Sequence, residues 1–157
     1  MKYTRLTKEQ LSELHQEFIN FLATQSITAT EWENVKTEKP EVAEEELDIF
    51  SDLIWEGVLS RVDYLENISA QHMHLFWMAE KEMKLISVKV RNPEIDLTTP
   101  VGFAWFKKNW QSDYIDYLTA SKAYSEDPNQ DKFDLIQQGG VITKGELYRW
   151  FDEIIGE

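Results

Sequence analysis

Two ionisable side chains occupy apolar faces of predicted helices, where such groups are rare. His15 lies in the apolar stripe of the first helix, one turn from Leu11, and Glu46 lies in the apolar face of the third. An ionised carboxylate is seldom buried without a partner, because its desolvation is costly. We therefore expect both side chains to be more than half buried and to interact. They could act as a catalytic pair that transfers a proton, or as a structural pair that fixes the helix register. The lack of a nucleophile favours the structural pair.

A second pair of residues has the spacing of metal ligands. His72 and His74 are two residues apart on a predicted strand, so they share one face of it. That spacing suits two ligands of a zinc or iron site. In a simple hairpin register, however, Lys89 opposes His72 and Ser87 opposes His74, and a nearby ammonium disfavours a metal cation. Because no third ligand can be named, we predict no tightly bound transition metal and no other cofactor.

Four carboxylates recur every fourth residue along the third predicted helix, at Glu44, Asp48, Asp52 and Glu56. We call this row the acidic ridge. Like charges at this spacing cost roughly 0.2–0.5 kcal/mol per pair on an isolated helix, so a cation, a basic partner or a neighbouring Lys or Arg would offset them. Trp55 beside the ridge favours a binding site for a protein. The alternative is an ordinary solvated helix face.

Aromatic side chains crowd into residues 103–117, and five of them advance by three or four residues: Phe103, Phe106, Trp110, Tyr114 and Tyr117. A continuous helix would stack them on one side. We therefore predict a contact surface for self-association, with Phe106, Trp110 and Tyr114 as binding residues. Alternatively, the helix breaks at residues 111–113, which would fold both halves of the stripe into the core.

Composition limits the possible partners. The net charge of −13, from 16 basic and 29 acidic residues, repels phosphate backbones, so we expect no nucleic-acid partner. Apolar residues make up 42% without a long apolar run, so we expect no membrane partner. The chain has no cysteine, and no apolar stretch of the length of a secretory signal follows residues 1–5. These features favour the cytoplasm.

Helix-start signals recur three times, each an apolar residue and a Thr followed three residues later by Glu or Gln. They stand at Thr7, Thr28 and Thr143. With the apolar periodicity and the prolines, they predict seven helices. These cover about residues 8–25, 28–39, 41–59, 100–110, 113–124, 131–138 and 143–155.

The middle of the chain has a different period. Two β-rich runs, 72–78 and 83–90, are joined by a polar turn at 79–82 and predict a hairpin. A lone hairpin is marginally stable, so we expect a third strand at 62–68. No repeat or linker interrupts the chain. We predict one domain, residues 1–157, of the α+β class: mostly helical, with a small antiparallel hairpin or three-stranded meander in the middle.

Two runs of residues resemble a known family. Residues 2–11 and residues 40–57 are similar to a family of uncharacterised bacterial proteins, and the similarity extends over most of the chain. That family has no assigned activity. The resemblance therefore implies a bacterial domain of unknown function and transfers no catalytic residue.

Two classes of function remain open. The lack of a phosphate-binding glycine loop and of a nucleophile elbow favours a non-enzymatic protein–protein interaction module, which binds a protein partner or a second copy of itself. The alternative is a small enzyme or metal-binding protein that uses His15 with Glu46, or His72 with His74. A deep pocket around either pair would favour the alternative.

Overall fold

The computed structural model describes residues 1–155, in which seven helices and a five-stranded antiparallel sheet form an α+β fold. The sheet is larger than the predicted hairpin or meander. The chain divides into two compact units, Met1–Ser60 and from Arg61 onward. The single domain predicted from the sequence stays a prediction.

In chain order the elements are α1 (Lys8–Glu13), α2 (His15–Thr24), α3 (Ala29–Glu38), α4 (Pro40–Leu59), β1 (Tyr64–Ile68), β2 (His72–Met78), β3 (Glu82–Val90), α5 (Pro100–Asn109), β4 (Ile115–Ala123), α6 (Pro128–Gln137), β5 (Val141–Thr143) and α7 (Glu146–Ile155).

Local hydrogen bonds set the helix starts of the first unit. Thr7 forms the predicted capping box: its hydroxyl accepts from the backbone N–H of Gln10, whose side chain accepts from the N–H of Thr7. Thr28 caps α3, and Pro40 occupies the first turn of α4. The first predicted helix is in fact two helices, because the backbone leaves helical geometry at Leu14 (φ −100°, ψ 22°).

An aromatic cluster forms the core of the first unit. The ring centroid of Phe18 lies 5.0 Å from that of Phe50 and 5.1 Å from that of Trp32, both edge-on. Leu22 is fully buried beside them. These rings join α2, α3 and α4, so α4 presents a fixed opposite face that carries the acidic ridge.

The sheet of the second unit has the strand order β4-β3-β2-β1-β5, with every pair antiparallel. The predicted hairpin is confirmed as β2 and β3, in the predicted register: His72 faces Lys89 and His74 faces Ser87. The expected third strand is confirmed as β1. Helices α5 and α7 cover one face of the sheet, where Phe106 and Phe151 are buried against Met73 and Val88. On the other face, α6 covers the part around Leu65.

Two predictions of helix are wrong. The segment predicted as a helix over residues 113–124 is strand β4, because β3 offers it a ladder partner along nine residues. The helix start at Thr143 is also wrong. Thr143 ends strand β5, its hydroxyl accepts from the N–H of Gly145 at 3.1 Å, and α7 begins at Glu146. Gly145 has φ 81°, the left-handed conformation that makes this turn possible.

No helix within residues 1–155 has both the length and the apolar character that crossing a bilayer requires.

Candidate functional site

The acidic ridge on α4 binds the first residues of the same chain. The backbone N–H groups of Lys2 and Tyr3 donate to Oδ2 and Oδ1 of Asp52 at 2.6 and 2.9 Å. The hydroxyl of Tyr3 donates to Oε2 of Glu56 at 2.6 Å, and Nζ of Lys2 lies 3.3 Å from the same oxygen. Two carboxylates that the four-residue spacing places on one helix face thus hold two consecutive residues.

Arg5 occupies the other half of the ridge. Its Nε and Nη2 lie 2.8 and 2.6 Å from Oδ1 of Asp48, and its Nη1 binds Oε2 of Glu44. Hydrogen bonds to Asp48 and then to Glu44 raise the pKa of the Arg5 guanidinium. The N–H of Leu6 donates to Oγ of Ser51, a fully buried hydroxyl, at 3.1 Å. Residues 2–6 therefore contact α4 over most of its length.

Two cations of the same chain offset part of the charge of the ridge. Burial, followed by the hydrogen bond to Glu56, raises the pKa of Tyr3 to about 12. The ring of Tyr3 lies 6.5 Å from that of Trp55, which is half-buried. Lys2 and Arg5 are the neighbouring cations that reduce the repulsion between the carboxylates of the ridge. The ridge is thus a docking surface for residues 2–6.

The structure does not form the predicted pair of His15 and Glu46. His15 is exposed and lines an open hollow of about 690 Å³ with Phe18 and Trp32. Glu46 is half-buried, and its Oε2 has no hydrogen-bond partner in the described part of the chain. The reason is the break at Leu14: His15 begins a new helix, so the helical spacing from Leu11 no longer sets the direction of its side chain. A proton-transfer couple is therefore not assembled here.

His72 and His74 lie side by side on β2, with ring centroids 5.9 Å apart and planes 8° from parallel. Both are half-buried, and Lys89 and Ser87 face them from β3. Nowhere in residues 1–155 do three or more His, Asp or Glu side chains come together in a group that could hold a metal ion. The pair can stack and donate or accept hydrogen bonds, which suits a structural role.

The aromatic stretch 103–117 is not one helix. The predicted break is confirmed, but Tyr114 in the second half of the stripe is not folded into the core. Helix α5 ends at Asn109, and β4 begins at Ile115. Phe106 is buried, and Trp110 packs against the core with its ring edge-on to Trp150 at 5.5 Å. Of the three binding residues predicted in this stretch, Phe106, Trp110 and Tyr114, only Tyr114 is exposed. The stripe is divided because its second half pairs with β3 rather than continuing α5.

A small cavity holds a carboxylate that the sequence analysis did not single out. Glu66 on β1 lines a space of about 370 Å³ with Thr143 and Glu146. Burial is the main reason that the pKa of Glu66 is raised, and the charge of Glu146 adds to it, while a hydrogen bond from Thr143 acts against it. Raised carboxyl pKa values occur in acid–base catalysts and in structural sites alike. The lining of this cavity includes neither histidine nor cysteine.

The free edge of strand β4 was not predicted from the sequence. Strand β4 pairs with β3 on one side and stands at the end of the described sheet. Residues 118–123 are all exposed, and Leu118 exposes 62% of its surface. The sequence carries a weak signal for this strand, since β-branched or aromatic residues stand at every second position, Ile115, Tyr117 and Thr119. The helical spacing of the preceding aromatic residues favoured a helix over a strand in this segment.

An open groove runs beside this edge, between β4 and α6, with a volume of about 560 Å³. Its floor is apolar and its rim is charged. The floor consists of Phe76, Met83, Leu85, Ala120 and Leu135, and the rim includes Lys122, Asp131 and Asp134. An extended peptide segment could pair with β4 and place side chains in such a groove.

Comparison with curated proteins gives no match, and neither does comparison with solved structures. A family model does match, and it covers nearly the whole chain. It describes the family of unknown function DUF6495 and matches residues 1–156, so the chain belongs to that family.

Proposed function

We propose that this chain is a non-enzymatic protein–protein interaction module that binds its partner along the free edge of strand β4. One observation carries the proposal: β4 is nine residues long, lies at the end of the sheet and is exposed over residues 118–123. An edge strand presents a row of unpaired backbone N–H and C=O groups, which is a template for another strand. Its two charged side chains are Asp116 and Lys122, and it contains no proline.

The groove beside β4 supports the same function. Backbone pairing at an edge gives affinity, and neighbouring pockets that accept alternate side chains give specificity. Leu118 is exposed on the sheet face that carries Leu85 and Phe76, so a bound strand would cover apolar surface on that face. The acidic ridge is a weaker candidate, because residues 2–6 already occupy it.

The two residue pairs predicted for an enzyme or metal site gain no support from their surroundings. His15 is exposed, Glu46 does not bind it, and His72 and His74 face Lys89 and Ser87. The absence of cysteine and the family resemblance support a setting in the bacterial cytoplasm for the proposed module.

Photo-crosslinking in the native cell tests the proposal. A benzophenone amino acid replaces Leu118 at the edge of β4, and a matched control replaces Val101, which exposes 82% of its surface on α5. We expect protein adducts at position 118 that disappear when Thr119→Pro is added, and none at position 101. Adducts at both positions, or none at position 118, would contradict the proposal.

A further inference from the structure

We propose that the partner at the β4 edge is a second copy of this chain, paired antiparallel about a two-fold axis at Thr119. The inference rests on the proposed function of that edge and names its occupant. Three independent features of β4 lead to it: the direction of its backbone hydrogen bonds, its length, and the position of its two charges.

The hydrogen-bond direction restricts the register. The N–H of Arg91 donates to the C=O of Tyr114 at 2.8 Å, in line with the antiparallel register of β3 and β4. Backbone groups of successive residues point to opposite sides of a strand. The even-numbered residues of β4 therefore bond to β3, and the odd-numbered residues point outward. Two copies can exchange outward bonds only if odd residues face odd residues, so the axis must pass through a residue.

The length of the strand favours an axis at Thr119. Thr119 is the central residue of Ile115–Ala123, so an axis there sets all nine residues opposite a partner. At Ile115 only the C=O is open to the other copy, because its N–H already donates to the C=O of Ser112 at 3.1 Å. As an odd-numbered residue, Thr119 would donate its N–H to the C=O of Thr119 in the other copy and accept the equivalent bond in return. Any other axis leaves one end of each strand unpaired.

The charges select the same axis. With the axis at Thr119, Asp116 of one copy faces Lys122 of the other, and the symmetry forms this ion pair twice. Both residues lie at positions not hydrogen-bonded to the other copy, where facing side chains come closest. An axis one residue earlier places Asp116 opposite Ala120, and an axis one residue later places Lys122 opposite Leu118.

Both charged groups are available for this contact. Lys122 forms no ion pair with any described residue, and it is exposed. Asp116 is held by Arg91, whose Nε lies 3.0 Å from Oδ2, which leaves the other carboxylate oxygen for a second cation. Between the two ion pairs, Leu118 of each copy faces Ala120 of the other, so the exposed leucine is covered on the groove side.

Sedimentation of the purified full chain, from about 1 to 100 µM at near-physiological salt, tests the inference. We expect a dimer. Asp116→Lys places two lysines opposite each other, and Lys122→Asp places two aspartates opposite each other, so each substitution alone should weaken the dimer at least about tenfold. Mixing the two variants should restore association as a heterodimer, because each copy then faces unlike charges. The matched control is Lys108→Asp, an exposed lysine on α5, which should leave the dimer unchanged.

Backbone pairing is tested by Thr119→Pro, which removes only an outward N–H and should abolish the dimer. Thr119→Val keeps the N–H and should retain it. Circular dichroism checks that each variant is folded, and if Thr119→Pro is not, the mixing experiment decides alone. A monomer at 100 µM, or a dimer that neither charge reversal weakens, would overturn the inference. If the inference is overturned in this way, photo-crosslinked adducts between position 118 and a different protein would still support the proposed function. If no adducts form at position 118 either, both the inference and the proposed function are contradicted.

Discussion

Arg5 binds Asp48 through two nitrogens, with Nε 2.8 Å and Nη2 2.6 Å from the same carboxylate oxygen, Oδ1. This contact links the first residues of the chain to the middle of α4. It explains how a helix can carry a carboxylate at every fourth position, because an arginine bridges two of them at once. The ridge is therefore part of the fold of the first unit, and its prediction as a partner site stays a prediction.

A double-mutant cycle with Arg5→Ala and Asp48→Ala should give a coupling energy of roughly 1 kcal/mol, measured by chemical denaturation. Both side chains are about one-third exposed, so solvent screens the pair, and the two-nitrogen geometry places it at the upper end for surface pairs. The matched control is Lys36 with Glu33, a more exposed pair on α3 at 3.0 Å. Its coupling should be about 0.5 kcal/mol or less. Equal couplings in the two cycles would contradict the prediction.

Tyr3 should ionise late in an alkaline titration. Its pKa is raised from 10.0 to about 12, mainly by burial and then by the hydrogen bond to Glu56. A raised pKa means that the folded state favours the neutral phenol. The stabilisation is complete below pH 10 and is lost as the pH rises from 10 to about 12. Ultraviolet difference titration of the wild type against Tyr3→Phe isolates this group. A difference curve centred near pH 10 would show that the segment is not docked.

Glu66→Gln should stabilise the protein at pH 7. The pKa of Glu66 is raised, mainly by burial, so the ionised form is disfavoured in the folded state. The penalty is present above the folded pKa, shrinks as the pH falls through it, and vanishes below the unfolded value of 4.5. The gain from the substitution should follow the same course. Thermal denaturation at pH 7 and pH 4 measures it, with Glu94→Gln in an exposed loop as the control. A gain that is equal at both pH values would argue against this account.

Gly102→Ala should destabilise the protein by about 1–3 kcal/mol, although alanine is the better helix former. A Cβ atom at Gly102 would lie 1.8 Å from the carbonyl oxygen of Asp96, and this backbone cannot move without disturbing the cap of α5. The control is Val101→Ala on the neighbouring, exposed position, which should change stability little. Urea denaturation compares the two variants, and a stabilised Gly102→Ala protein would refute the close contact.

Protein purified without a histidine tag should contain no stoichiometric transition metal. His72 and His74 have no third ligand among the described residues, and Lys89 faces His72. Elemental analysis measures the content. Zinc or iron near one equivalent that disappears when both histidines are changed to Ala would show that the prediction is wrong.

Features that depend on neighbouring residues could be predicted from the sequence. The caps at Thr7 and Thr28 form within three residues, Pro40 begins α4 because its backbone suits a first helical turn, and the register of His72 with Lys89 follows from a short turn. The α+β class follows from these signals as well. In each case the interacting groups are close in sequence, so local hydrogen bonds and sterics decide the outcome.

Features that depend on distant residues were decided by the tertiary structure. Arg5 and Asp48 are 43 residues apart, so the sequence could show that the ridge needed a cation but not which one. Residues 115–123 form a strand because β3 offers a ladder partner, which outweighs their helix-like spacing. Thr143 ends a strand for the same reason, since β1 pairs with it. The free β4 edge exists only because β4 is last in the strand order, a property of the assembled sheet and not of any one segment.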